Sequence, residues 1–375
     1  MKRLKGSLLA AAVLALVACA GAGSVRQDPV TEDKAAVGSL IFSDTALSQP
    51  AGQSCATCHD PGLAFTDGRG ADTSEGVLPG VFGARNAPTA AYAAFAPAFH
   101  WDSAEGLYFG GQFLDGRAAT LRDQAQGPPL NPIEMHNPDR ASYVAKVAAA
   151  PYADRLRALY GADLFTDEAR AFDAIADAVA TFERSPKVSP FTSKYDAFLK
   201  GADVLTARER RGLALFEGRG GCAACHPNTS GEAKVPPLFT DFSYDNLGVP
   251  RNPANPFYAM PSHVNPDGSA FVDVGLAGNP TVIAEGRAAE SRGKFKVPTL
   301  RNVARTAPYF HNGSLRTLKE VVAFYNRRDL EPRRFGTPEV PENVNRTELG
   351  NLGLTDSEED DLVAFLQTLT DGYRP

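Results

Sequence analysis

A chain of 375 residues, 43% hydrophobic and 22% charged, has apolar material for two domains of ordinary size, which excludes a wholly disordered or fibrous protein. Its net charge of −6 excludes the basic footprint of a nucleic-acid binder. The acidic balance fits either a solubility device or a basic redox partner.

The chain opens with a leader. Lys2, Arg3 and Lys5 precede an apolar run over 8–18, the pattern of a secretory signal; the run is too short for a spanning helix. Leu16-Val-Ala-Cys19 matches the lipobox of bacterial lipoproteins, which makes 1–19 the signal and Cys19 the lipid-bearing residue. Ordinary cleavage at the A-x-A-like Ala18-Cys19-Ala20 is the alternative. Either way three cations leave and the net charge moves from −6 to −9. The expected compartment is the periplasm, with a lipid anchor in the outer membrane as the sole membrane contact.

Residues 34–42 read as a short helix with Val37, Leu40 and Ile41 on one side. A loop then leads to Cys55-Ala-Thr-Cys58-His59. C-x-x-C-H is the attachment signature of a c-type haem. Two thiols one turn apart reach the two vinyl groups of the porphyrin, and the next imidazole is held against the ring to ligate iron. A zinc knuckle would want four clustered ligands, and a redox dithiol does not need the His. The 162 residues from 60 to 221 are far more than a haem motif requires. Among them 141–149 and 152–160 read as short helices. Residues 170–184 form a strongly amphipathic helix, with Phe172, Ile175, Val179 and Phe182 at helical spacing. Ser185-Pro-Lys-Val-Ser-Pro190 ends it and places a domain boundary within 187–204.

The same grammar then repeats. Thr206 and Glu209 form a capping box for a helix over 208–217 that carries Leu213, Leu215 and Phe216. A Gly-rich turn over 218–221 runs into Cys222-Ala-Ala-Cys225-His226. Gly38 aligns with Gly212 and Phe42 with Phe216, so the chain duplicates a helix–loop–haem unit. With four thiols assigned to haem and Cys19 to lipid, no disulfide remains. Residues 227–300 are rich in Pro, Gly and Asn and read as loops. A helix over 318–327 opens on the capping box Thr317/Glu320. The last helix opens on Thr355/Glu358 and has the apolar face Leu362, Phe365, Leu366 and Leu369. The expected fold is mainly α: two cytochrome c-like haem domains with long loops, an N-terminal one over 28–190 and a C-terminal one over 200–375.

The sixth ligand of a haem iron decides its role. Met or His makes an electron carrier, and an open position binds peroxide or oxygen. Met1 leaves with the leader, and the histidines outside the two motifs are His100, His136, His263 and His311. The stretches 55–68, Arg85-Asn-Ala-Pro88, 110–118, 131–135, 246–250 and 295–313 resemble the bacterial dihaem cytochrome c peroxidase/MauG superfamily, over nearly the whole mature chain.

The resemblance implies that peroxide reacts at the N-terminal haem, on His59, while the C-terminal haem, on His226, relays and stores oxidising equivalents. It implies that Glu134 is the distal acid/base carboxylate, with Gln124 its neighbour, in a pocket walled by Pro128, Pro129 and Ile133. Taken alone, Glu134 reads as a solvated surface charge. Peroxidases of the family place Met fourteen residues after the His of the Tyr-Phe-His motif, and MauG-type members place Tyr there; here the position is Tyr325. Tyr325 shares a helical face with Leu318, Val321 and Val322, so the bland reading is a core tyrosine. Met260 is the rival ligand. No His occurs between His59 and His100, so the first haem looks open, with His100 a remote candidate ligand.

The family's calcium ion maps onto the Asn86 side chain and the Thr306 and Pro308 carbonyls; oxygen-only ligation suits calcium. The family's inter-haem Trp is Leu114 here, and the one Trp, Trp101, is a candidate relay or an ordinary packed aromatic. The expected reaction is reduction of hydrogen peroxide by a small donor protein, a c-type cytochrome or a copper protein. MauG-like oxidation of a residue on a partner protein is the alternative. A non-enzymatic dihaem electron carrier is the competing class.

Overall fold

The computed structural model describes residues 32–231 and 235–374; the leader and Cys19 lie outside them. Helices α1 (Glu32–Ser43), α2 (Cys55–Cys58), α3 (Leu121–Ala125), α4 (Gly127–Leu130), α5 (Arg140–Ala149), α6 (Ala153–Tyr160) and α7 (Glu168–Glu183) build the first half. The second half holds α8 (Lys194–Leu199), α9 (Ala207–Glu217), α10 (Pro280–Ala284), α11 (Ala288–Ser291), α12 (Leu318–Arg327), α13 (Pro332–Phe335) and α14 (Asp356–Gln367). Only two small antiparallel pairs accompany them among the described residues: β1 (His100–Asp102) with β2 (Leu107–Phe109), and β3 (Tyr244–Asp245) with β4 (Phe295–Lys296). The fold is mainly α, as expected.

Local chemistry explains the helix starts. Thr206, Thr317 and Thr355 each accept a hydrogen bond from the amide three residues on, and Glu209, Glu320 and Glu358 reach back. Helix α7 begins two residues earlier than its apolar periodicity predicts, because Asp167 caps it by accepting from the Arg170 amide.

Each half has its own core, built the same way. In the first, α1 crosses α7 and buries Val37, Ile41 and Phe42 against Phe172, Ile175, Val179 and Phe182. In the second, α9 crosses α14 and buries Phe216 against Leu362, Phe365 and Leu366. The helices come into backbone contact at the two aligned glycines. A Cβ on Gly38 would lie 2.0 Å from the Ala178 carbonyl oxygen, and one on Gly212 would lie 2.0 Å from that of Asp361. Phe42 meets Phe65 and Phe182 as Phe216 meets Phe239 and Phe365. The duplication read from the sequence is thus a repeated packing unit. One expectation fails: Leu40 is exposed, not inward, because Gly38 and Phe42 take the contact face.

Val188 packs in the first core and Tyr195, on α8, in the second, where its amide donates to the Thr368 carbonyl at 3.0 Å. The halves meet through an apolar cluster of Tyr108, Tyr244, Leu276 and Val282 and through polar contacts. Arg85 reaches Asp115 at 2.6 Å and forks onto Asp273 at 2.6 and 2.7 Å. Tyr92 donates to Asp371 at 2.7 Å.

Candidate active site

The first C-x-x-C-H forms one turn, α2, opened by a capping box between Ser54 and Thr57. His59 follows it and donates from Nδ1 to the Phe65 carbonyl at 3.1 Å. His226 does the same to Phe239 at 2.8 Å, after a tighter 3-10 turn over Cys222–Ala224. Phe65 and Phe239 both adopt positive φ, 57° and 55°, which turns each carbonyl back onto the imidazole. A backbone acceptor on Nδ1 fixes the tautomer and leaves Nε2 free to ligate a metal. Burial lowers both histidine pKa values, which favours the neutral, ligating form.

The four thiols are free, and burial pushes Cys55, Cys222 and Cys225 up to about 12. A redox dithiol needs the opposite shift. A zinc knuckle lacks its further ligands: among the described residues no three His, Cys, Asp or Glu are arranged to hold a metal. Thiols of this kind suit thioether bonds to a porphyrin.

Around the second motif lies an apolar cavity of about 330 Å³ that holds Cys222, Cys225 and His226 on its wall. Tyr325 lines the same cavity from α12, with Leu318, Val321 and Val322 beside it. Cys222 and Cys225 act electrostatically on the Tyr325 phenol, which burial first of all raises well above its ordinary pKa. A cavity whose apolar wall carries two thiols, the His226 and His311 imidazoles and the phenols of Tyr92, Tyr309 and Tyr325 fits a haem. Asn86, Thr306 and Pro308 lie on this wall too, as does Leu114. The Asn86 side-chain amide donates to the Asp72 carbonyl at 3.2 Å, leaving its oxygen as the free acceptor.

Glu134 comes to the first motif by way of a tight loop after α4. Its amide donates to the Asn131 carbonyl at 3.0 Å, and Met135 closes the loop onto Pro128 at 3.2 Å. The Asn131 side chain donates to the Glu134 carboxylate at 2.9 Å. Burial raises the carboxyl's pKa against the pull of Arg117 and Asn131. Its charge acts on both Cys55 and Cys58, so the carboxylate stands at the first haem motif. Gln124 is half-buried on α3, just before the α4 turn.

Other candidates fall elsewhere. Met260 spends its sulfur on the Phe82 amide, 3.3 Å away, and does not line the cavity with His226. His100 is exposed on β1, not in a loop, and donates to the Ala98 carbonyl at 2.8 Å. Trp101 joins a separate cluster with Tyr108, Phe99 and Tyr244 and is absent from the cavity wall that Leu114 occupies.

One residue, Glu183, emerges that the sequence did not flag, and one of the free histidines, His311, takes a definite place. Glu183 at the end of α7 is 5% exposed, and burial raises it to about 8; its charge acts on Cys55. Its spacing from Val179 and Phe172 was the available signal. His311 stacks on Phe295 with ring centroids 3.8 Å apart and lines the cavity, where burial lowers it to about 4.

Two thiol–imidazole units on a duplicated helical frame, one with a carboxyl and one with a phenol beside it, define a dihaem c-type oxidoreductase of the peroxidase class. The chain belongs to the di-haem cytochrome c peroxidase/MauG family, whose family model matches residues 32–204. It is 40% identical to the methylamine utilization protein MauG of Paracoccus denitrificans, across 97% of this chain and 95% of that protein. It is 30% identical to the cytochrome c551 peroxidase of Nitrosomonas europaea, across 97% and 90%. The crystal structure of the diheme peroxidase BthA from Burkholderia thailandensis superposes with a TM-score of 0.82 at 35% identity, covering 92% of this chain and 87% of that one.

Proposed function

We propose that the protein is a periplasmic enzyme that reduces hydrogen peroxide with electrons from a small redox protein, a c-type cytochrome or a copper protein. The observation that carries this reading is Glu134, a carboxyl of raised pKa held by Asn131 beside the Cys55–His59 motif. Splitting O–O needs a group that takes a proton from one oxygen and returns it to the leaving one, and a carboxyl poised by burial does both. Bound haem supplies the iron that accepts the oxidising equivalents of peroxide.

In this reading His59 and His226 would ligate the two haem irons, Gln124 would be the pocket neighbour of Glu134, and Tyr325 would be the further ligand at the second haem. The Asn86 side chain and the Thr306 and Pro308 carbonyls, which line one cavity, would supply oxygen ligands to a calcium ion. The leader, and the need to attach haem outside the cytoplasm, support export; Cys19 carries the lipid.

Stopped-flow mixing of the diferric holoprotein with peroxide tests the assignment. Glu134→Gln slows the haem spectral change about 10²–10⁴-fold, with the resting spectrum kept. A variant as fast as the parent would remove Glu134 from the reaction. An electron carrier with two fully ligated haems predicts no high-spin ferric signal and no reaction with peroxide at all.

A second reading, oxidation of a residue on a partner protein, is favoured by Tyr325 facing the His226 cavity and by the 40% identity to MauG. A phenolate ligand stabilises ferric and higher iron, which suits holding oxidising power. Tyr325→Phe then alters the second haem's spectrum. An oxidised state that persists even with a reduced cytochrome or copper protein present supports this reading; one that such a donor discharges at once supports the first.

A further inference from the structure

Leu114 stands on the cavity wall where no electron can be taken from it. Outside the cavity four rings form an unbroken file. Trp101 and Tyr108 face each other across the β1–β2 pair with centroids 4.9 Å apart. Tyr108 stacks on Phe99 at 5.1 Å, and Phe99 meets Tyr244 edge-on at 6.0 Å. Tyr244 is the inner end. It is buried, the next residue Asp245 lines the haem cavity, and its strand partner Lys296 does too.

The outer rings differ in chemistry. Trp101 carries the Arg287 guanidinium over its face at 3.6 Å. A fixed cation there stabilises the electron-rich ring and opposes loss of an electron. Tyr108 is 3% exposed and donates its phenolic proton to Glu285, which is itself exposed to water. A phenol gives up an electron only with its proton, and a hydrogen-bonded carboxylate is the acceptor that requires. Burial, then Glu285, keeps the phenol protonated at rest.

We propose that Tyr108 is the surface-side redox station of the protein, with Glu285 as its proton acceptor, and that Trp101 is not. Reduction of one peroxide to two waters takes two electrons and two protons. Tyr108 supplies those electrons one at a time inward through Tyr244, passing its phenolic proton to Glu285 at each turn, while the two protons that complete the waters come from solvent. The neutral tyrosyl radical left behind is restored by one electron from the external donor protein and one proton from Glu285. This rests on the peroxide reading above.

The test is electron paramagnetic resonance of diferric holoprotein frozen after one equivalent of hydrogen peroxide. A tyrosyl signal is expected in the parent and in Trp101→Phe, and its loss in Tyr108→Phe and Glu285→Gln. Tyr108→Phe keeps the ring, so an unchanged resting haem spectrum shows that the fold is intact. Haems that react without any tyrosyl signal, a signal that survives Tyr108→Phe, or an indole radical lost in Trp101→Phe would each overturn the proposal. If peroxide leaves the haem spectrum unchanged, it is the peroxidase reading that fails. A photogenerated ruthenium(III) polypyridyl oxidant then decides the matter alone: a tyrosyl radical abolished by Tyr108→Phe upholds the station, and any other site overturns it.

Discussion

Arg301 is fully buried, with its side chain 0% exposed and that of Asp196 1% exposed. The two form a fork of 3.0 Å contacts, and Arg301 Nε donates to the Pro237 carbonyl at 2.7 Å. A buried pair of this kind adds little over a well-packed apolar pair, yet stranding one partner is costly. Asp196→Ala leaves the guanidinium without its countercharge and also removes the N3 member of the Ser193 capping box. The expected loss is about 3–5 kcal/mol, read as a shift in denaturant midpoint. An exposed pair such as Arg157 with Asp154 should change stability by less than about 1 kcal/mol when broken.

Among helices, the two crossings at Gly38 and Gly212 set the frame on which both haem motifs hang. Ala is the better helix former by about 1 kcal/mol, so propensity alone predicts that Gly212→Ala stabilises. The neighbour is backbone, the Asp361 carbonyl, and a flexible tip cannot move away in its place. Overpacking of this kind costs about 1–3 kcal/mol and outweighs the propensity gain. Gly212→Ala should therefore lower the thermal midpoint and disturb the second haem's spectrum more than the first's; Gly38→Ala should show the reverse preference.

This scale is also where the sequence was most legible. Capping boxes at Thr206, Thr317 and Thr355 are local, so the helices they open were read nearly to the residue. The β1–β2 pair was not foreseen, since what holds it is packing of Tyr108 against Tyr244 and Leu276, far along the chain. Leu40 was misplaced because an apolar residue beside Ile41 reads as inward until the partner helix is known. Glu183 was missed because a glutamate at a helix end is ordinarily solvated. The thiols and imidazoles were plain from spacing. Glu134 and Tyr325 were not, and came from resemblance.

Across the whole molecule, Arg85 ties the halves together. Burial alone would raise Asp273, but Arg85 holds it down at about 2, against an ordinary value of 3.8. A carboxyl depressed in the folded state lends stability that is full above its unfolded pKa and is lost as the pH falls through its folded one. The halves should therefore loosen between about pH 4 and pH 2. Denaturant titrations across that window should show a smaller acid slope in Asp273→Asn than in the parent.

The wall of the second cavity includes Asn86, Ala87, Pro88, Thr89 and the segment 112–114, all from the first half, although its thiols belong to the second. The roof over that porphyrin is thus synthesised more than a hundred residues before the thiols that will anchor it. Maturation gains a direction from this: the earlier-made part waits, and the later cofactor is boxed in as its own segment closes. Severing the chain at the linker would leave the trailing fragment with its thiols and imidazole but without the wall that residues 86–89 and 112–114 provide.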